Sequence, residues 1–333
     1  MTRATTDARA CPDVLERRRA ASPRGVVTGS ALALALSGLL GGMSAAATPP
    51  RFAALAQPTN VTPFVRPALP AEGVWRGYGR LVQGHRAIFA TTVRLPDNPA
   101  VRAGVAWMDT RLLRARLYSG SLSPGGLFWH ATAPIAGAAA QTLVAAFNGG
   151  FLLKASQGGY LSEGRLIAPL RAGAASLVLY ANGTATVGQW GRDVQRTPSV
   201  VAVRQNLRLL VDHGRTVAGL RRSDVAVWGA SLHWVANTWR SGLGITSDGA
   251  LVYVAGPMNV VDLAQLLVRA GAVRAMPLDM NPLWTVFATY RPSPNTAPAA
   301  PANGTDLLAT MIQSPSRFFQ ATYSRDFITM SAR

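Results

Sequence analysis

Four stretches of the chain carry side chains that could do chemistry beside glycines or at the ends of apolar runs. Asn148 follows the apolar run 142–147 and precedes Gly149 and Gly150. Its amide brings both a donor and an acceptor to the mouth of a sheet. The two residues without a Cβ let the backbone turn sharply or approach a bound group. Arg240 enters a glycine-rich strand, Ser241-Gly242-Leu243-Gly244. A guanidinium beside such backbone suits a bidentate grip on phosphate or carboxylate; a surface ion pair is the plain alternative. Asp279 ends the apolar run 273–278, where ligand groups emerge from sheets, or it caps a turn. Glu163 lies in Gly158-Gly159-Tyr160-Leu161-Ser162-Glu163-Gly164. It reads either as a general acid or as a hairpin residue facing solvent. Hydrolysis of a glycosyl bond generally requires two carboxyl groups. Glu163 and Asp279 are the pair this sequence offers, with Asp109 and Asp248 as spares.

Other chemistries have no support. His85, His130, His213 and His233 lack metal-ligand spacing, and no GxSxG, P-loop or dinucleotide fingerprint occurs. The single cysteine, Cys11, precedes the first apolar segment, so the folded body has no thiol for a nucleophile or a metal. No metal or cofactor is expected.

The elements that must position these residues read as strands. Apolar or alternating runs lie at 87–95, 103–108 and 112–118. Asn182-Gly183 between 175–180 and 184–190, and Asp248-Gly249 between 241–246 and 250–255, are hairpin signals. The runs 199–203 and 207–211 suggest another pair, and 326–330 a last strand. One helix is clear, with Asn259 as its cap, Asp262 in its first turn and Gly271 after its end. A second is expected over 306–312. Many strands and few helices give an α+β class with a strand-rich mixed sheet.

Hydrophobic residues make up 49% of the 333, enough for a sizeable core. Only 14% are charged, yet the net charge is +18, and Lys154 is the sole lysine. The excess points to an anionic neighbour. The arginines are scattered and form no nucleic-acid module, so nucleic acid is not the expected partner. Residues 1–24 are polar and basic, a cytoplasmic flank. The run 25–47 is uncharged and serves as a signal peptide or a single membrane anchor. The Pro/Ala-rich stretch 48–72 reads as a linker, and 73–333 as the folded body.

Taken together, three segments resemble the phosphodiester glycosidase family: Ala145-Ala146-Phe147-Asn148-Gly149-Gly150-Phe151, Arg240-Ser241-Gly242-Leu243-Gly244-Ile245-Thr246-Ser247-Asp248-Gly249, and Gly271-Ala272-Val273-Arg274-Ala275-Met276-Pro277-Leu278-Asp279. They run in the family's order, over roughly residues 85 to 331. The leader is similar to that of a divergent actinobacterial, exported or membrane-anchored branch. The resemblance implies a strand-rich glycosidase-like fold and hydrolysis of a sugar-1-phosphodiester in the cell envelope. Asn148, Gly149, Gly150 and Arg240 would then hold a phosphorylated or anionic glycan, and Asp279 and Glu163 would share acid and base duties. The family continues Leu-Asp-Gly-Gly-Gly-Ser where this chain reads Leu278-Asp279-Met280-Asn281-Pro282-Leu283-Trp284. That run cannot form the same nest of amides for an anion, and Trp284 would stack on a sugar face instead. A non-catalytic protein binding anionic polymer on the same scaffold is the alternative.

Overall fold

The computed structural model describes residues 53–126, 128–228 and 237–333. The basic flank, the run 25–47, the first part of the expected linker and His233 lie outside the described residues. Among the described residues no helix is long and apolar enough to cross a membrane.

Among the described residues the strands form three sheets. The largest has eight strands, in the order Arg76–Val82, His85–Arg94, Arg102–Met108, Leu251–Met258, Thr238–Thr246, Ala272–Pro277, Val211–Asp212 and Arg215–Thr216. A five-stranded sheet runs Gly304–Asp306, Phe287–Tyr290, Leu143–Asn148, Phe327–Ala332, Leu113–Tyr118. The other runs Arg165–Ala168, Tyr160–Ser162, Val200–Gln205, Ala175–Tyr180, Ala185–Gln189. The chain thus adopts the expected strand-rich α+β architecture. Every ladder between these strands is antiparallel, and parallel pairing is confined to isolated bridges such as Ser119 with Thr132.

Alternation of side chains assigns the two faces of the central sheet. One face, with Leu243, Ile245, Tyr253 and Met276, packs on residues of both smaller sheets, including Phe147, Leu177 and Ile328. The other, with Val252, Val254 and Ala275, packs on Leu263, Leu266 and Leu267 of the helix Val260–Arg269. Gly242 and Gly244 leave room for that helix side: a Cβ on Gly242 would stand 3.0 Å from a Leu267 methyl. The Asn259 side chain accepts from the amides of Val261 and Asp262, as its capping role requires.

Three expectations are corrected. Residues 306–312 form no helix: Asp306 pairs with Ala288 in a ladder, and Leu307 and Leu308 fill the space over Gly104. Packing on a bare backbone position outweighs helix propensity here. The strands near 200 and 211 do not pair with each other; Val200–Gln205 joins a smaller sheet and Val211–Asp212 the central one. Finally, residues 53–72 are not a free linker. Val61 is buried and bonded to Gly73, the Leu55 amide donates to Asp109, and Glu72 is buried against Arg94.

Burial pushes the Glu72 carboxyl up, but the Arg94 side chain and the amides of Arg94 and Leu69 outweigh it and hold it at about 2. A folded value below the unfolded one stabilises above the unfolded pKa and is lost as pH falls through the folded one. Glu72→Ala should therefore cost about 3 kcal/mol at neutral pH, with Arg94 left unpaired. In urea titrations the gap from the parent should close as pH falls from about 4.5 towards about 2.

Candidate functional site

The central sheet and the Leu143–Asn148 strand meet at Asn148, which is 2% exposed. Its Oδ1 accepts from the Tyr253 hydroxyl at 2.7 Å and from the Val286 amide at 3.2 Å. Its Nδ2 donates to the Ser241 hydroxyl at 3.0 Å and to the Gly149 carbonyl at 2.8 Å. The amide is thus fully satisfied and ties three distant segments together. Ser241 continues the connection, since its Oγ also accepts from the Asp279 amide at 3.1 Å.

Asp279 lies just beyond the Ala272–Pro277 strand, held in line because the Ser241 amide donates to its carbonyl at 2.7 Å. Its Oδ1 accepts from the amides of Met280 and Asn281, and its Oδ2 from Arg325. Burial pushes this carboxyl up to about 6. The Arg325 charge and the two amides oppose that rise, while nearby Asp326 adds to it.

Arg325 and Asp326 are adjacent and serve opposite partners. Arg325 reaches Asp279, while Asp326 is paired with Arg204, whose Nε stands 2.7 Å from Oδ2. The Arg204–Asp326 pair clamps the Asn-Gly-Gly turn. The Gly149 amide donates to the Asp326 carbonyl, and Arg204 donates to the Phe151 carbonyl. A Cβ on Gly149 would lie 2.1 Å from Asp326 Oδ2, and one on Gly150 would lie 3.1 Å from the Arg204 guanidinium. Both glycines are therefore needed because buried ions occupy their side-chain volumes.

The structure gathers part of the expected site. Asn148, Gly149, Gly150 and Asp279 converge. Trp284 borders them, half-buried, with the Arg325 guanidinium 5.0 Å from its ring centroid and Arg317 at 5.5 Å. Arg325 thus occupies a ring face that was expected to take a sugar.

Arg240 does not converge. It precedes Ser241 in an extended strand, so its side chain leaves the opposite face, the one shared with Gly242 and the helix. Its NH1 donates to the Trp228 carbonyl at 3.2 Å, its Nε has no partner among the described residues, and burial alone lowers its pKa to about 10. Glu163 does not converge either. Its carboxylate accepts from the amides of Ala131 and His130, at 2.6 and 3.0 Å, and from the His130 ring. Burial raises its pKa, but these bonds and the His130 charge outweigh it and hold it below the ordinary value. It fastens a loop. Asp109 accepts from the amides of Leu55, Arg111 and Leu112, and Asp248 accepts from Thr246 in its turn.

Arg204, Ser241, Tyr253, Arg325 and Asp326 were missed. The one available signal was the oppositely charged Arg325-Asp326 pair at the start of an apolar strand.

Two cavities lie elsewhere. One of about 220 Å³ is lined by Asp97, Asn237 and Asp262, the other, of about 260 Å³, by Arg76, Tyr78 and Arg102. Neither is lined by Asn148 or Asp279.

Comparison with known proteins supports the motif reading over part of the chain. Residues 141–279 match the family model described as phosphodiester glycosidase. No curated protein matches in a sequence search. Among solved structures, the zebrafish N-acetylglucosamine-1-phosphodiester alpha-N-acetylglucosaminidase catalytic domain, auto-inhibited by its pro-peptide, is similar with a TM-score of 0.45 and 14% identity, covering 78% of this chain and 88% of that one. A hypothetical protein from Synechocystis is similar with a TM-score of 0.41 and 14% identity, over 75% and 63% of the two chains. A Burkholderia pseudomallei protein titled as exported gives 0.36 and 14%, over 69% and 74%.

The two arginines should respond oppositely to an apolar replacement of similar volume. Arg240→Met removes a buried charge that has no carboxylate partner among the described residues, so the unfolding midpoint should hold or rise. Arg325→Met leaves Asp279 buried without its cation and should cost about 3–5 kcal/mol at neutral pH. Denaturant titration of both variants reads the contrast.

Proposed function

We propose that this chain, whose residues 141–279 match the phosphodiester glycosidase model, hydrolyses a sugar-1-phosphodiester at Asp279, as an exported protein of the cell envelope. The supporting observation is the Asp279–Arg325 pair. A buried carboxyl pushed up to about 6 is paired with a cation whose buried Nε has no partner among the described residues. An incoming phosphodiester offers Arg325 a bidentate acceptor. As Arg325 turns to the phosphate, Asp279 loses its compensating charge and takes up a proton. The acid then protonates the bridging oxygen as the bond to the sugar's anomeric carbon breaks. Water supplies the hydroxyl to the sugar carbon, and its proton returns to the carboxylate. Asn148 and Ser241 position Asp279, and the Arg204–Asp326 clamp keeps Gly149 and Gly150 in place. Burial of Asp326 within that clamp makes it a support for the turn. The carbonyl of Gly150 and the ring of Trp284 border the space that the phosphodiester would enter beside Arg325.

A second reading is binding of an anionic glycan without turnover. It is favoured by the sealing of the site: Asp279 is 4% exposed, and its oxygens already have three donors. The net charge of +18 suits either reading.

Because the fold raises the Asp279 carboxyl, its acid form predominates below about 6 and is lost as pH rises through that value. For a soluble glycosyl phosphodiester and the full chain, kcat/KM, which reads the free protein, should therefore fall as pH rises through about 6. Asp279→Asn should lose roughly 100-fold or more of kcat/KM. Salt-sensitive binding with no sugar release would instead support the second reading.

A further inference from the structure

We propose that the cavity between Arg76 and Arg102, on the first three strands of the central sheet, is a binding site for a sugar unit that bears an oxyanion. The cavity holds about 260 Å³. Strand register builds it. Arg76 pairs with Ala90, Thr92 with Gly104, and Arg94 with Arg102. Alternation puts Arg76, Tyr78, Thr92, Arg94 and Arg102 on one face of the sheet. Thr92 lies on the middle strand, midway between the positions opposite Arg76 and Arg102, so the two arginines flank it from either side. Leu307 closes one side, where it fills the space over Gly104, and Pro70 and Ala71 close another. In the sheet, the strands Leu251–Met258 and Thr238–Thr246 separate these three from Ala272–Pro277, which leads to Asp279. The site is thus distinct from the Asp279–Arg325 pair.

Charge on this face is unbalanced. Arg94 and Arg102 stand directly opposite across a ladder, where like charges destabilise each other. Glu72 offsets Arg94: it is buried, and it accepts from that side chain and from the amides of Arg94 and Leu69. Glu72 is therefore committed, and it does not line the cavity. Asp306, beside Leu307, shares a sheet face with Ala288 and Tyr290 and does not line it either. Among the described residues no acid lines the cavity, and neither Arg76 nor Arg102 has a hydrogen-bond or ion-pair partner. Two unpaired guanidinium groups around one hydroxyl suit an oxyanion with several acceptor atoms, a phosphate or a carboxylate. The rest of the lining indicates what carries that oxyanion. Tyr78 and Val74 are exposed and give a sugar ring an apolar platform, while the Thr92 hydroxyl can exchange hydrogen bonds with its hydroxyls. The volume falls below that of pockets for drug-sized ligands, so it suits one unit of an anionic glycan and not an acyl chain. Occupancy of this site does not depend on turnover at Asp279.

The test uses the full chain and saturation-transfer NMR titrations, which register weak binding. The probes are glucose 6-phosphate, glucuronate and glucose. At least one of the two acids should bind roughly tenfold or more tighter than glucose, as hydrogen bonds to charged groups require. The tighter of the two identifies phosphate or carboxylate as the recognised group. Arg76→Gln combined with Arg102→Gln should remove that advantage. Arg196→Gln combined with Arg208→Gln takes the same charge from exposed positions that line neither cavity, and should keep it. Glucose bound as tightly as both acids, an equal loss in the two double variants, or acid binding that persists without Arg76 and Arg102 would each overturn the proposal. Silence from all three sugars would overturn it too. None of the probes is a glycosyl phosphodiester, so failure here is distinct from failure of the hydrolysis reading, which turnover tests separately.

Discussion

The side-chain amide of Asn148 is the joint on which the site depends. Buried between two sheets, it commits its oxygen to Tyr253 and Val286 and its nitrogen to Ser241 and Gly149. An amide in this position has no water to fall back on, so losing any one partner leaves a buried polar group unsatisfied. That makes the meeting of the two sheets specific. Apolar packing alone would tolerate small shifts along the interface, whereas four directed bonds accept one alignment. Ser241 extends the same constraint to Asp279, so the carboxyl is placed by the joint and not by its own loop.

Around this joint, charge is handled in pairs. Arg325 and Asp326 are neighbours in the chain and point to different partners, so two buried ion pairs are made by one dipeptide. Pairs of this kind are expensive to bury and weak evidence for stability. Here the Arg204–Asp326 pair fills the volumes left by two glycines and locks the turn. Arg240 shows the contrast: a guanidinium on the helix side of the central sheet, with a carbonyl partner and, among the described residues, no acid. One strand thus carries a neutral hydroxyl into the site and, one residue earlier, a charge away from it.

Much of the scaffold was legible from local rules. Asn259 caps its helix, Asp248-Gly249 turns its hairpin, and the run ending at Asn148 is a buried strand. Each signal is contained within a few residues, where backbone chemistry decides. The site was half legible. Asn148, Gly149, Gly150 and Asp279 stand at breaks in apolar runs and do converge. Arg240 was expected beside Asn148 because its type was weighed and its parity was not; alternation along the strand gives Ser241, not Arg240, to Asn148. Glu163 was a reasonable acid by type, but its bonds to the 130–131 backbone are set by tertiary packing. Arg204 and the Arg325-Asp326 dipeptide could not be matched to partners, since only the folded sheets bring residues 122 and 46 positions apart into contact.

The strand Phe327–Ala332 lies inside its sheet, between Leu143–Asn148 and Leu113–Tyr118, and not at an edge. During synthesis its two neighbours emerge long before it does, and each must wait with an open flank. The turn at Gly149 likewise waits for a carboxylate made 177 residues later. Asp279 leaves the ribosome without its cation. Assembly of the corner around Asp279 is therefore a terminal event in the life of the nascent polypeptide, and a chain cut short before Arg325 would carry every recognisable motif while lacking the ions that close it.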